Sequence, residues 1–105
     1  MGGQSAPKAA DSMIRGIVTS VNDKLIAATG ALGFNADHHL VVLSYRTQVV
    51  AGTNYFVKLA VGGTKGDLIE CRIFRPLPPR TNDLEVNSCR LLEEKGTTNG
   101  PILLA

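Results

Sequence analysis

The stretch Ser44-Tyr45-Arg46-Thr47-Gln48-Val49-Val50-Ala51-Gly52-Thr53-Asn54-Tyr55-Phe56-Val57-Lys58-Leu59 reads as two strands joined by a tight bend. Residues 40 to 46 and 55 to 61 are rich in β-formers, within hairpin strands expected over 40 to 50 and 53 to 62. Between them Ala51-Gly52-Thr53 supplies small side chains and a glycine whose φ is unrestricted, which a sharp turn requires. Hairpin tips are usually polar, yet Val49, Val50 and Ala51 are apolar. Such a tip either tucks back into the core or waits for a partner. In the second strand Tyr55, Val57, Leu59 and Val61 share one face, and Asn54, Phe56 and Lys58 share the other.

The five residues Gln48-Val49-Val50-Ala51-Gly52 resemble the Gln-Val-Val-Ala-Gly signature of the cystatin superfamily. The flanking Tyr45-x-Thr47 and Thr53-Asn54-Tyr55 resemble its single-domain, disulfide-free branch, the stefins (type 1 cystatins). The resemblance implies an α+β chain with the cystatin fold: one N-terminal helix wrapped by a four- to five-stranded antiparallel sheet. It also implies tight, reversible inhibition of papain-like, cathepsin-type cysteine proteases.

Toward the N-terminus, residues 12 to 28 read as the helix, with Ser12 or Asp11 as N-cap. Ile14, Ile17, Val18, Val21 and Leu25 recur on one helical face, similar to the stefin helix that lies across the sheet. Gly16 and the β-branched residues lower intrinsic helicity, so packing must hold this element. Residues 29 to 39, with Gly30, Gly33 and Asn35, read as a helix stop and connector, slightly longer than is usual in stefins. Residues 1 to 11 have no periodicity and read as a flexible arm. In stefins the matching arm carries a glycine that enters the protease cleft, and Gly2 and Gly3 hold that position here.

Toward the C-terminus, Gly62-Gly63-Thr64-Lys65-Gly66-Asp67 is a polar turn without the order of a phosphate-binding loop. Residues 68 to 75 and 84 to 92 read as two further strands. The prolines of Pro76-Leu77-Pro78-Pro79 make a loop between them, because proline cannot sit in a paired central strand. Leu77-Pro78 resembles the Leu-Pro pair of the second wedge loop of stefins, and Pro79 departs from the usual glycine or polar residue that follows. The last residues, 96–105, read as a loosely ordered tail on a single domain spanning 1–105.

At 105 residues the chain has room for one core, and its 44% apolar content fits a folded protein. The net charge of +2, with mixed signs throughout, gives no nucleic-acid footprint. No apolar run is long enough for a membrane span, and no apolar h-region marks a secretory signal, so the expected address is cytoplasmic. Neither composition nor spacing implies a metal or cofactor. His38 and His39 are neighbours on extended chain and point opposite ways. Cys71 and Cys89 fall on adjacent strands; with Phe74 facing Leu84, Cys71 faces Asn87 and the two cysteines are diagonal. The expectation is two free, mostly buried thiols. Neither is paired with a histidine as a catalytic thiol requires, so the chain does not read as an enzyme.

Taken together, the resemblance implies a wedge of Gly2, Gly3, Gln48, Val49, Val50, Ala51, Gly52, Leu77 and Pro78 that enters the cleft of a cysteine protease. The protein is expected to be mostly monomeric. A domain-swapped dimer opened at the Gln48–Gly52 hairpin is the expected alternative assembly. The competing function is a cystatin-fold binding protein with weak or no protease inhibition.

Overall fold

Asp11 starts the first helix: its carboxylate accepts the Ile14 N–H at 2.9 Å, and its backbone is extended. The other carboxylate oxygen accepts from the Tyr45 hydroxyl at 2.7 Å, so the cap also ties the helix to the sheet. The computed structural model describes residues 3–34, 38–62 and 67–93. Gly2, the turn residues 63–66 and the tail expected at 96–105 lie outside the described residues.

The expected helix over 12–28 is longer and is interrupted. It comprises α1 (Ser12–Ser20) and α2 (Asn22–Gly30), divided at Val21, whose φ of −112° and ψ of 18° leave the α region. Hydrogen bonding continues across the break, from Val21 N–H to the Ile17 carbonyl and from Leu25 N–H to the Val21 carbonyl. Just before it, the Ser20 hydroxyl donates back to the Gly16 carbonyl at 3.0 Å, a contact that bends helices. The break spares the apolar face: Ile14, Ile17, Val18, Val21 and Leu25 are all buried. The helix extends past residue 28 because Thr29 is fully buried and donates to the Leu25 carbonyl at 2.8 Å. Thr29 Oγ1 also contacts Nε2 of His38, which is buried beside the Phe34 ring, while His39 is exposed.

Five strands form one antiparallel sheet in sequence order: β1 (Lys8–Ala9), β2 (His39–Val50), β3 (Gly52–Gly62), β4 (Leu68–Arg75) and β5 (Glu85–Glu93). This is the expected α+β architecture, with a helix in two segments. Tyr55, Val57, Leu59 and Val61 of β3 are buried as their alternation predicts, facing the helices together with Ile69, Cys71 and Ile73 of β4.

Two sequence expectations need correction. The first concerns the arm over 1–11, which contains β1. Lys8 and Ala9 pair with Tyr45 and Ser44, and Ser5 N–H reaches the Thr47 carbonyl at 2.8 Å. A two-residue strand leaves no alternation to read. The second concerns the cysteines, which form a disulfide, with Cα atoms 4.0 Å apart. Phe74 pairs with Glu85 rather than Leu84, and the register shifts again between Arg72 and Ile73, leaving Asn87 as an extra residue. Together these offsets bring Cys89 directly opposite Cys71.

Three experiments test this fold. Gly16 lies inside α1, and a methyl group added there would have nothing within 4 Å, so Gly16→Ala should raise unfolding stability by about 0.5–1 kcal/mol in urea. Alkylation in denaturant without reductant should add no mass, and reduction should lower stability by about 3 kcal/mol, given the 18-residue separation of the cysteines. The Asp11 carboxyl is held below its ordinary 3.8 by the hydrogen bond from Ile14 and then that from Tyr45. A lowered folded-state value stabilises above pH 3.8, and that contribution is lost as pH falls through the folded value. Asp11→Ala should therefore melt lower at neutral pH and show a shallower decline in melting temperature on acidification.

Candidate functional site

The β2–β3 hairpin projects from the sheet at its tip. Pairing runs to Val49↔Thr53 and Val50↔Gly52, with Ala51 alone at the turn. Gln48 faces Asn54 across the hairpin and accepts from its side-chain amide at 3.1 Å. The tip does not tuck back into the core: Val49 is 66% exposed and Val50 43%.

Gly52 makes this turn and anchors it. Its φ is 121°, a conformation that side-chain-bearing residues rarely adopt. A Cβ there would stand 2.5 Å from the Arg75 carbonyl oxygen and 2.7 Å from two carbons of the Phe74 ring. The hairpin tip thus lies against the end of β4, where Thr53 pairs with Arg75.

The chain leaves β4 from that contact into the proline loop. Arg80 N–H donates to the Leu77 carbonyl at 3.0 Å, and Asp83 N–H to the Arg80 carbonyl at 2.9 Å. The Arg80 guanidinium closes the second turn on Asp83 at 2.9 Å. Lys24 of α2 holds the far end through the Leu84 carbonyl at 3.1 Å. Within this braced loop Leu77 is 57% exposed and Pro78 is exposed.

On the other side of the hairpin the arm approaches along β2. Ser5 is bonded to Thr47 through both its N–H and its hydroxyl oxygen, which puts exposed Gly3 two residues further toward the tip. Gly2 lies outside the described residues. Register therefore gathers Gly3, Gln48 to Gly52, and Leu77-Pro78 at one end of the sheet. Beneath them the Tyr45 and Tyr55 rings pack at 6.4 Å, with Lys8 over the first at 5.9 Å and Arg75 over the second at 5.8 Å. Sequence reasoning did not single out Phe74 or Arg75 as the support of the tip. The signal available was the glycine, which demands a close neighbour without naming it.

The sequence pattern of the Cystatin domain family matches residues 35–96, a span that includes both loops and the whole hairpin. This chain belongs to the cystatin family. Cystatin-B of Paralichthys olivaceus is 35% identical over 94 residues, covering 90% of this chain and 88% of its own length. Human Cystatin-A is 33% identical over 94 residues, covering 90% of each. Leukocyte cysteine proteinase inhibitor 1 of Sus scrofa is 33% identical over 85 residues, covering 81% of this chain and 77% of its own length. Among solved structures, the secreted type 1 cystatin from Fasciola hepatica superposes with a TM-score of 0.70 at 26% identity, over 88% of this chain and 97% of that one.

In this cystatin neither cysteine is available as a nucleophile, since the two are bonded to each other. Among the described residues no group of His, Cys, Asp or Glu is assembled to hold a metal, and no helix is long and apolar enough to cross a membrane.

Gly52→Ala would meet both an unfavourable φ and the Arg75 carbonyl. It should lower unfolding stability by about 1–3 kcal/mol, read from the urea midpoint.

Proposed function

We propose that this protein is a tight, reversible, active-site-directed inhibitor of papain-like cysteine proteases. Cystatin family members are inhibitors rather than enzymes, and one relative carries the name cysteine proteinase inhibitor. The observation that carries the mechanism is the exposed apolar tip of a rigid hairpin, Val49 and Val50, beside exposed Leu77. Exposed apolar side chains on a paired turn are ready for a partner, because little conformational entropy remains to be lost.

In this reading Val49, Val50, Leu77 and Pro78 fill the apolar walls of a cleft whose catalytic Cys-His pair lies at its base. Gly2 and Gly3 run along the non-primed side, and Gly52 and Ala51 let backbone approach backbone. Burial of apolar side chains supplies the affinity, within an interface on the order of 800 Å² per partner. No peptide bond of the inhibitor is presented to the nucleophile in attack geometry, so the inhibitor leaves intact. A domain-swapped dimer opened at Ala51 would lose the tip, so inhibition belongs to the monomer.

The test is a titration of papain followed by hydrolysis of a small fluorogenic peptide. Nanomolar, stoichiometric and reversible inhibition is expected. Replacing Val49 and Val50 with Asp places charge in an apolar contact and should weaken inhibition at least about 100-fold, with an unchanged CD spectrum. Full inhibition by that folded variant would overturn the wedge.

A further inference from the structure

We propose that the outer face of the sheet carries a binding groove for a small organic anion with a flat apolar body, held by Arg46, Lys58 and Arg90 over the Phe56 ring. The proposal is independent of the inhibitor reading. It concerns the face that alternation turns away from the helices: Tyr55, Val57 and Leu59 point inward, and Phe56 and Lys58 point outward.

Pairing brings the charges together across four strands. Arg46 faces Phe56, which faces Arg72, and in the next row Ser44 faces Lys58, Lys58 faces Glu70, and Glu70 faces Arg90. A groove of about 350 Å³ opens among Arg46, Phe56, Lys58, Glu70, Arg90 and Leu92. This volume lies within the range of small-molecule sites. It holds three cations against one carboxylate, a local excess of two positive charges, equal to the net charge of +2 of the whole chain.

Glu70 works as the organiser of this set. One of its oxygens accepts from Arg46 Nη2 at 3.2 Å, and the other accepts from Arg90 Nε and Nη2 at 3.2 and 2.9 Å. Ion pairs with partners this exposed add little to stability, so their effect is to fix the two guanidinium groups in place. A guanidinium already fixed loses less rotamer freedom when it binds, and its remaining N–H groups are free to donate to an incoming anion. Lys58 forms no ion pair among the described residues and supplies a compact charge from the middle of the groove. Phe56 and Leu92 give the apolar surface that a flat body would cover, and arginine planes stack readily on such a body. A bare inorganic ion would leave that surface unused.

The groove is distinct from the wedge. Arg46 is four residues from Val50, about 13 Å of strand.

The experiment is an NMR titration of the ¹⁵N-labelled protein with phenyl phosphate and, separately, benzoate. Inorganic phosphate and benzyl alcohol serve as comparison probes. Saturable shifts at the amides of Arg46, Phe56, Lys58, Glu70 and Arg90 are expected, in the millimolar range for at least one aromatic anion. The tighter of the two identifies the preferred head group. Inorganic phosphate and benzyl alcohol should each bind more weakly. Lys58→Ala should weaken the aromatic anion roughly fivefold, the loss of one nearby charge in a largely aqueous setting. The absence of saturable shifts at these amides would overturn the proposal. So would benzyl alcohol binding as well as benzoate, or unchanged affinity in both Lys58→Ala and Arg90→Gln.

Discussion

Gly52 rests against the Arg75 carbonyl and the Phe74 ring, with no room for a methyl group between them. That close approach joins the end of β4 to the hairpin tip, so the second loop must begin beside the first. Pairing of the arm with β2 brings a third segment to the same end. The relative positions of the three segments are thus set by backbone contacts and register. The side chains that project from them are spared any structural duty, and Val49, Val50 and Leu77 are left exposed.

Stability is invested at the other face of the sheet. The helix has glycine and β-branched residues in its sequence and a break at Val21, so its own propensity is weak. What holds it is burial of Ile14, Ile17, Val18, Val21 and Leu25 against Tyr55, Val57, Leu59, Ile69 and Ile73. Point connections reinforce that layer: Asp11 to Tyr45, Lys24 to Leu84, and Thr29 to Leu25. The disulfide lies on this same inner face and closes the segment that contains the second loop.

Much of this was legible in the sequence because it follows from period. The alternation of Tyr55, Val57, Leu59 and Val61 and the helical spacing from Ile14 to Leu25 each predict a buried face correctly. The glycine within an apolar turn marks the hairpin. Period carries no information about a single extra residue, and Asn87 is one. Together with the start of pairing at Phe74 and Glu85, it moves Cys89 into direct opposition with Cys71, where pairing counted without either offset sets the two diagonally. The two-residue β1 is too short to alternate, and the helix break, which falls beside a serine bonded back to a carbonyl, leaves the apolar spacing unchanged. The convergence of Arg46, Lys58 and Arg90 is invisible for another reason: residues scattered along the chain become neighbours only through the register of four strands. At the hairpin tip, the apolar residues alone leave burial and exposure equally open, the family resemblance favours exposure, and the Phe74–Arg75 support beneath them appears only in three dimensions.

The exposure of the tip also has an evolutionary consequence. Substitutions that remove core contacts are eliminated when they drop a protein below the stability its function needs. Val49, Val50 and Leu77 contribute little to the core, so changes there largely escape that filter. Gly52 does not escape it, because its replacement disturbs the junction with β4. Selection for folding therefore acts on the glycine and only weakly on the exposed side chains around it, so whatever keeps those side chains apolar is something other than the fold.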